Sequence, residues 1–294
     1  MKKLFLMLAV AVAMSACNIS TVQETIVEAQ ERQGWTNFAG VRAMDSGFSG
    51  ITLPALRGNV ESVKIRRTKY SDENDFLLFL FNERGDVAEW GYYSGGYTCE
   101  KYVFGYGSNG RLESEYMHGI LEGSIKHTYN ELNQRVQTTN YNKNHGVVSK
   151  TRYKYDHAGH MIQEGDITYV YDNYGRKIVS RSGNVIFATW TYDATGKLIE
   201  STEVDEYCGH FIKDVYTYDS AGRLDKKDGY IKEDVNGDLA YSCTQKYEYD
   251  RFGNLVEERM NYASGETAKI SYRYDSHGNV VAKDDITFEI TYRK

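Results

Sequence analysis

The most regular feature of the chain is an alternation of aromatic and polar positions that ends in a turn. In the stretch "YEYDRFGNLVEE", residues 247 to 258, two tyrosines lie one residue apart, and they are followed by an aspartate, a glycine and an apolar residue. Side chains alternate between the two faces of a strand, so both tyrosines face the same side. The pattern predicts two antiparallel strands joined by a tight turn.

The same pattern recurs along most of the chain. Clear copies begin at residues 153, 169, 190, 216 and 272, and weaker copies begin at 79, 104 and 127, which makes nine with the copy at 247. Such self-similarity is the signature of a repeat architecture. Successive turns are 16 to 31 residues apart, which predicts one sheet edge with uniform tight turns and another with looser connections.

Turn chemistry explains the conserved spacing between aspartate and glycine within these copies. The aspartate accepts hydrogen bonds from backbone N–H groups ahead of it, and the glycine adopts the left-handed conformation that closes the turn. Asn130 and Asn133 replace the pair in one weaker copy, and Asn tolerates this conformation. A turn-structural role is therefore predicted for Asp156, Gly159, Asp172, Gly175, Asp193, Gly196, Asp219, Gly222, Asp250, Gly253, Asp275 and Gly278.

The turn type also predicts the strand register. The residue before the aspartate should lie opposite the second residue after the glycine. In the longest connection, Asn236 and Gly237 signal a two-residue hairpin, which predicts Tyr230 opposite Cys243 and Leu224 opposite Tyr249. The nine predicted repeat pairs are Phe81 with Val87, Tyr106 with Leu112, Tyr129 with Arg135, Tyr155 with Met161, Tyr171 with Lys177, Tyr192 with Leu198, Tyr218 with Leu224, Tyr249 with Leu255 and Tyr274 with Val280.

The alternation gives the predicted sheet one aromatic face and one polar face. Residues between paired tyrosines, such as Lys154 and Glu248, are mostly polar, which is typical of antiparallel sheets. Tyrosines suit stacking on sugars or docking of proteins. The alternative is that the rings pack on one another as a core. The candidate binding face comprises Tyr153, Tyr155, Tyr192, Tyr216, Tyr218, Tyr247, Tyr249, Tyr272 and Tyr274.

Composition and motifs exclude several classes of function. The 26 Tyr, 27 Gly and single Pro favour a β protein with many turns, and a net charge of -6 without a basic stripe argues against nucleic-acid binding. His157 and His160 share one turn with Asp156, which explains them without a metal. We expect no cofactor, no metal and no catalysis, because the repeated aspartates already have a role in the turns.

The N-terminus has the features of an export signal. Residues 1–16 contain two lysines and an apolar run, Leu4 to Met14, that is too short to span a bilayer. Small residues precede Cys17, and this arrangement resembles the lipobox of bacterial lipoproteins. The resemblance implies a lipidated Cys17 and an exported protein that is lipid-anchored to the cell envelope, with the outer membrane as the expected location.

The domain prediction follows from these features. Residues 17–55 are expected to form the lipidated cysteine and a helical or flexible tether, with a capping box at Thr21 and Glu24. Residues 56–294 form the β domain, which is predicted to begin with a charged edge strand at 56–70. Cys208 and Cys243 are predicted to lie about two strands apart, beyond the ~7 Å limit for bridging, so we expect no disulfide.

The YxYDxxGxL units from about residue 75 to 294 resemble YD repeats, the units of RHS and teneurin-like proteins. In large members of that family, many repeats wind a sheet into a hollow shell around a toxic C-terminal domain. Because no Pro follows Pro54, the Asp-Pro self-cleavage motif of those shells is absent, and nine hairpins are expected to be too few to close a shell. The resemblance implies a small stand-alone lipoprotein with an all-β, elongated, twisted or curled antiparallel sheet.

The expected function is that of a non-catalytic scaffold or binding surface for glycans or proteins. Its expected partners are the membrane, through the lipid anchor, and a glycan or protein. Two alternatives remain open: an immunity or accessory protein that binds a partner toxin, and a glycan-active enzyme that uses paired carboxylates.

Overall fold

The computed structural model describes residues 53, 56–68, 74–119, 122–204, 209–232 and 237–294. These residues form 20 β-strands of one antiparallel sheet, which confirms the all-β prediction. The predicted signal at residues 1–16, the lipidation site Cys17 and the predicted helix near Thr21 all lie outside the described residues. Within the described ranges, no helix has the length and hydrophobicity needed to cross a membrane.

The strands follow one another along the chain with short connections. They are β1 (Val60–Arg67), β2 (Phe76–Phe81), β3 (Val87–Ser94), β4 (Tyr97–Tyr106), β5 (Leu112–Gly119), β6 (Gly123–Tyr129), β7 (Arg135–Asn142), β8 (Val147–Tyr155), β9 (Met161–Glu164), β10 (Ile167–Tyr171), β11 (Lys177–Ser182), β12 (Val185–Tyr192), β13 (Leu198–Val204), β14 (Phe211–Tyr218), β15 (Leu224–Lys232), β16 (Ala240–Tyr249), β17 (Leu255–Tyr262), β18 (Thr267–Tyr274), β19 (Val280–Lys283) and β20 (Ile286–Tyr292).

The first strand pairs on both of its sides. β1 pairs with β2 and also with β20, along the full span from Val60 opposite Tyr292 to Arg67 opposite Ile286. The predicted edge strand at 56–70 and the elongated, open sheet are therefore wrong, and so is the expectation that nine hairpins cannot close. The pairing satisfies N–H and C=O groups that an open sheet would leave exposed on its terminal strands.

The closing pair is reinforced by polar contacts. The side chain of Asn279 is fully buried. Its Oδ1 accepts from the Arg57 N–H at 2.6 Å, and its Nδ2 donates to the Arg57 carbonyl at 2.8 Å and to the Tyr292 hydroxyl at 2.7 Å. Arg293 donates to the Val60 carbonyl at 2.8 Å. These contacts attach the C-terminal strand to the segment that precedes β1.

The nine predicted repeat pairs are all confirmed. Each hairpin also contains a bulge that the sequence reading missed. In β14–β15, for example, Thr217 lies opposite Lys226 while Tyr218 lies opposite Leu224, so Asp225 has no opposite residue. A bulge of this kind shifts the register by one residue and increases the local twist.

The bulges explain why the register of the longest connection was predicted wrongly. Cys243 lies opposite Gly229, and a second register shift follows before Tyr230 pairs with Tyr241. Cys243 is also disulfide-bonded, with its partner outside the described residues. The prediction of no disulfide is thus wrong. Cys99 is a free, half-buried thiol.

The described residues separate into two compact units, which we call the first unit (residues 53–152 with Ser271–Lys294) and the second unit (Tyr153–Ile270). The buried face of the first unit is apolar, with Val63, Ile65, Leu77 and Trp90 among its core residues. Among the described residues of the second unit, a small apolar cluster forms around Cys243 and Met260. The buried face of this unit also carries polar side chains.

Candidate functional site

The repeated aspartates and glycines shape the tight turns. In all six copies listed above, the aspartate Oδ1 accepts the backbone N–H four positions ahead, for example from Asn254 to Asp250 at 2.9 Å. The six glycines have φ between 78° and 92°, in the left-handed region. Hydrogen bonds to the carboxylates hold their pKa values below the usual range, and for Asp219 the largest contribution is the backbone N–H of Arg223.

The same turn occurs at two places on the opposite edge that the sequence reading did not include. In "YNKNHGV", the Asn142 Oδ1 accepts the N–H groups of Asn144 and Gly146, and His145 takes the left-handed conformation with φ 60°. In the second turn, the Tyr262 N–H donates to the Glu266 carbonyl, and Gly265 has φ 87°. These copies lack the Asp–Gly pair, which is why the motif did not reveal them.

A hydrogen bond from tyrosine connects six of the nine repeats to the one before it. For example, the hydroxyl of Tyr249, the tyrosine just before its turn, donates to the carbonyl of Leu224 at 2.8 Å. Leu224 is the second residue after Gly222, the turn glycine of the previous repeat. The six observed cases are Tyr106 to Val87, Tyr129 to Leu112, Tyr171 to Met161, Tyr192 to Lys177, Tyr218 to Leu198 and Tyr249 to Leu224.

The ring of the same tyrosine is contacted by the residue that follows the previous glycine. Arg223 lies over the Tyr249 ring at 4.6 Å, and its Nε also donates to Asp219 at 2.8 Å. The equivalent pairs are Arg111 over Tyr129, Arg176 over Tyr192 and Lys197 over Tyr218, and His160 stacks on Tyr171. We call the hydroxyl contact and the ring contact together the tyrosine clamp. A basic residue after the glycine was its signal in the sequence.

The candidate tyrosine face is packed within the protein. Tyr153, Tyr216 and Tyr247 are buried, and the other six candidate tyrosines are half-buried. The residues between the tyrosines, including Lys154 and Glu248, are exposed as the alternation predicts. Burial raises the pKa of Tyr249 to about 12. All nine candidate rings are therefore buried or half-buried.

The buried face of the second unit carries a continuous row of polar side chains across β13 to β17. The Tyr216 hydroxyl is 2.8 Å from the Ser201 Oγ. The Asp214 Oδ2 accepts from the Lys227 Nζ at 3.3 Å. On the next two strands, the Gln245 Nε2 donates to the Glu258 Oε2 at 2.6 Å. We call these six residues the polar row.

The polar row contains two charged groups whose pKa values burial perturbs. Burial raises the pKa of the Asp214 carboxyl and lowers the pKa of the Lys227 ammonium, although each partially offsets the effect on the other. Perturbed groups of this kind often mark active sites. Here, however, the side chain of Lys227 has no solvent exposure, so nothing in the bulk solvent can reach it. The row can act as an internal polar network.

His160, one of the two histidines singled out in the sequence, belongs to a structural contact. His160 Nδ1 lies 2.9 Å from the Asp156 Oδ2 within the same turn. In the first unit, the buried His127 contacts the Glu115 Oε1 at 2.8 Å and the Thr138 Oγ1 at 3.0 Å. Within the described part of the chain, no group of three metal-ligating side chains converges.

No protein-family model matches the chain, and no curated protein matches it. Among solved structures it is similar to the crystal structure of TcdB2-TccC3-Cdc42, with 16% identity over 71% of this chain and 12% of that chain and a TM-score of 0.40. A porin-like protein from Bacteroides uniformis has 9% identity over 80% of this chain and 98% of its own, with a TM-score of 0.34. This chain thus spans 12% of the toxin-complex chain.

Proposed function

We propose that this protein is a non-catalytic YD-repeat lipoprotein of the cell envelope that acts as a rigid scaffold for binding proteins or glycans. The observation that carries the proposal is the tyrosine clamp. Six tyrosines each donate a hydrogen bond to the preceding repeat, and basic side chains cover several of their rings. The motif residues are therefore used to hold successive hairpins in a fixed geometry.

The outward face of the sheet suits a binding scaffold. In the second unit it carries paired charges, such as Lys213 with Glu200 at 2.7 Å and Lys226 with Asp228 at 2.6 Å. Exposed ion pairs contribute little to stability, about 0 to 1 kcal/mol each. They provide a polar surface on a fixed backbone, which favours recognition of polar partners.

The burial of the acid–base groups supports a non-catalytic role. A general acid or base must come within hydrogen-bond reach of a substrate. Asp214 and Lys227, which have opposed pKa shifts, contact each other and are enclosed by the fold. The turn carboxylates are likewise occupied by backbone N–H groups of their own turns.

A glycan array and a pull-down from envelope extracts test the proposal on the full chain. Saturable binding of a sugar, or recovery of protein partners, supports a binding scaffold. A single tight toxin partner would identify the protein as an immunity or accessory protein. Polysaccharide turnover that one carboxylate substitution abolishes would replace the proposal with a glycan-active enzyme.

The envelope location is tested separately through Cys17. We expect Cys17→Ala to move the protein from the membrane fraction to the soluble fraction, because acyl chains on this cysteine would supply the anchor. Mass spectrometry of the purified protein should show an acylated N-terminal cysteine after removal of residues 1–16. An unmodified cysteine would exclude the anchor without affecting the scaffold proposal.

A further inference from the structure

One segment of the first unit has a neighbouring strand on one side only. β8 pairs with β7 from Val147 to Arg152, and its pairing with β9 starts only at Tyr153. β9 ends at Glu164, opposite Tyr153, so within the described residues no strand pairs with the other side of Val147–Arg152. We call these six residues the free edge. At ~3.4 Å per residue they provide about 20 Å of unpaired backbone, the length of an average strand.

The free edge is exposed to solvent. Val147 and Val148 have relative exposures of 54% and 66%, and Lys150 and Arg152 are also exposed. On its paired side the segment is held in place, since Thr138 lies opposite Thr151 and the Asn140 Nδ2 donates to the Ser149 Oγ at 2.7 Å. The edge is therefore a strand that is already ordered and that still has N–H and C=O groups available.

The charges on this edge select among possible occupants. Lys150 and Arg152 are two residues apart and so lie on the same face. Neither is in an ion pair with another described residue. Like charges on opposite strands are destabilising, which disfavours pairing with the same edge of a second copy. Lysine on an edge strand protects it from non-specific association for this reason.

We propose that the free edge binds an extended segment of a partner protein that carries acidic residues at alternate positions. Such a segment would add a strand beside β8, with backbone hydrogen bonds providing affinity and its carboxylates facing Lys150 and Arg152. The charges that exclude a second copy would then favour this partner. The inference rests on the proposed scaffold function and specifies a partner class and a position for it.

The direct test is fluorescence anisotropy with the full chain and labelled eight-residue peptides. We expect saturable binding of a peptide that alternates Glu and Val, and about tenfold weaker binding of a peptide that alternates Lys and Val. A Glu–Val peptide with every backbone nitrogen methylated keeps its charge but loses the N–H donors on both of its edges, and it should not bind. Equal binding of the methylated peptide would show simple charge attraction and overturn the inference.

Substitutions locate the site. Replacing both bases, Lys150→Glu with Arg152→Glu, should reverse the preference to the Lys–Val peptide. Lys126→Glu is the matched control, because Lys126 is an exposed base on β6, which pairs on both sides with β5 and β7. We expect the control to change the affinity less than about threefold. An equal loss in the control, or no binding of the acidic peptide to the unmodified chain, would exclude the free edge as the site.

Two results separate this inference from the proposed function. If a partner recovered in the pull-down still binds the Lys150→Glu, Arg152→Glu variant, the scaffold function stands and the free edge is not its site. If sedimentation shows self-association that the same variant abolishes, a second copy occupies the edge and the acidic-segment proposal is wrong. Peptide binding at the edge without any recovered partner or glycan would instead argue against the scaffold function.

Discussion

Gly253 allows the contribution of turn conformation to stability to be measured without a steric contribution. It has φ 86°, and no atom lies within 4 Å of the position that a Cβ would occupy. Placing an L-residue in the left-handed region costs roughly 1–2 kcal/mol. The loss of unfolded-chain entropy in an alanine variant offsets ~0.4–1 kcal/mol of this cost. We therefore expect Gly253→Ala to lower the free energy of unfolding by about 1 kcal/mol, and Gly253→Val by more because it is β-branched.

The aspartate of the same turn should be much less sensitive to a conservative change. The Asp250 Oδ1 accepts the N–H groups of Phe252 and Asn254 at 2.8 and 2.9 Å. An asparagine oxygen can accept both, so Asp250→Asn should cost less than about 0.5 kcal/mol. Urea unfolding measures these differences, with the slope m compared among variants to check that the unfolding transition is unchanged. Equal costs for Gly253→Ala and Asp250→Asn would refute the turn argument.

His145 provides the reciprocal test. It is a non-glycine residue with φ 60° at the position that glycine occupies in the repeat turns, and it is exposed. His145→Gly should raise the free energy of unfolding by up to about 1 kcal/mol, since it removes the strain of the left-handed conformation. If this substitution destabilises the protein while Gly253→Ala does not, the conformational explanation is wrong for both turns.

Three further predictions concern buried polar groups. Tyr249→Phe removes the hydrogen bond to the Leu224 carbonyl and should lower the free energy of unfolding by about 1 kcal/mol in urea. Burial raises the pKa of Tyr249 to about 12. The stability that its phenol contributes should therefore be complete below pH ~10 and lost as the pH rises to ~12. Asn279→Ala should cost ~2–3 kcal/mol, since the fully buried amide makes three hydrogen bonds to Arg57 and Tyr292. Asn254→Ala, at the same position of the preceding repeat, should cost under about 1 kcal/mol in the same assay. Lys227→Met should lower the free energy of unfolding by ~3–5 kcal/mol in thermal or urea unfolding, because it leaves the buried Asp214 carboxylate uncompensated. Replacing Asp214 with an apolar residue in the same variant should restore most of the loss.

The sequence by itself determined the local structure of this protein. The spacing from aspartate to glycine specified where the tight turns form, and the alternation of tyrosines specified which side chains face inward. All nine repeat pairs follow from these two features, because turn geometry and side-chain alternation act over only a few residues. The candidate site could be predicted to the same extent: the tyrosines were identified, whereas their contacts were not.

The tertiary structure decided which strands meet at longer range and which groups are enclosed. The pairing of β20 with β1 depends on the twist accumulated along the sheet and on the bulge in each hairpin, and neither appears in the repeat pattern. The same small register shifts placed Gly229 opposite Cys243 and brought Lys227 next to Asp214. A single-residue slip reverses the face of every following side chain, so residues distant in sequence are positioned by the sum of many local shifts.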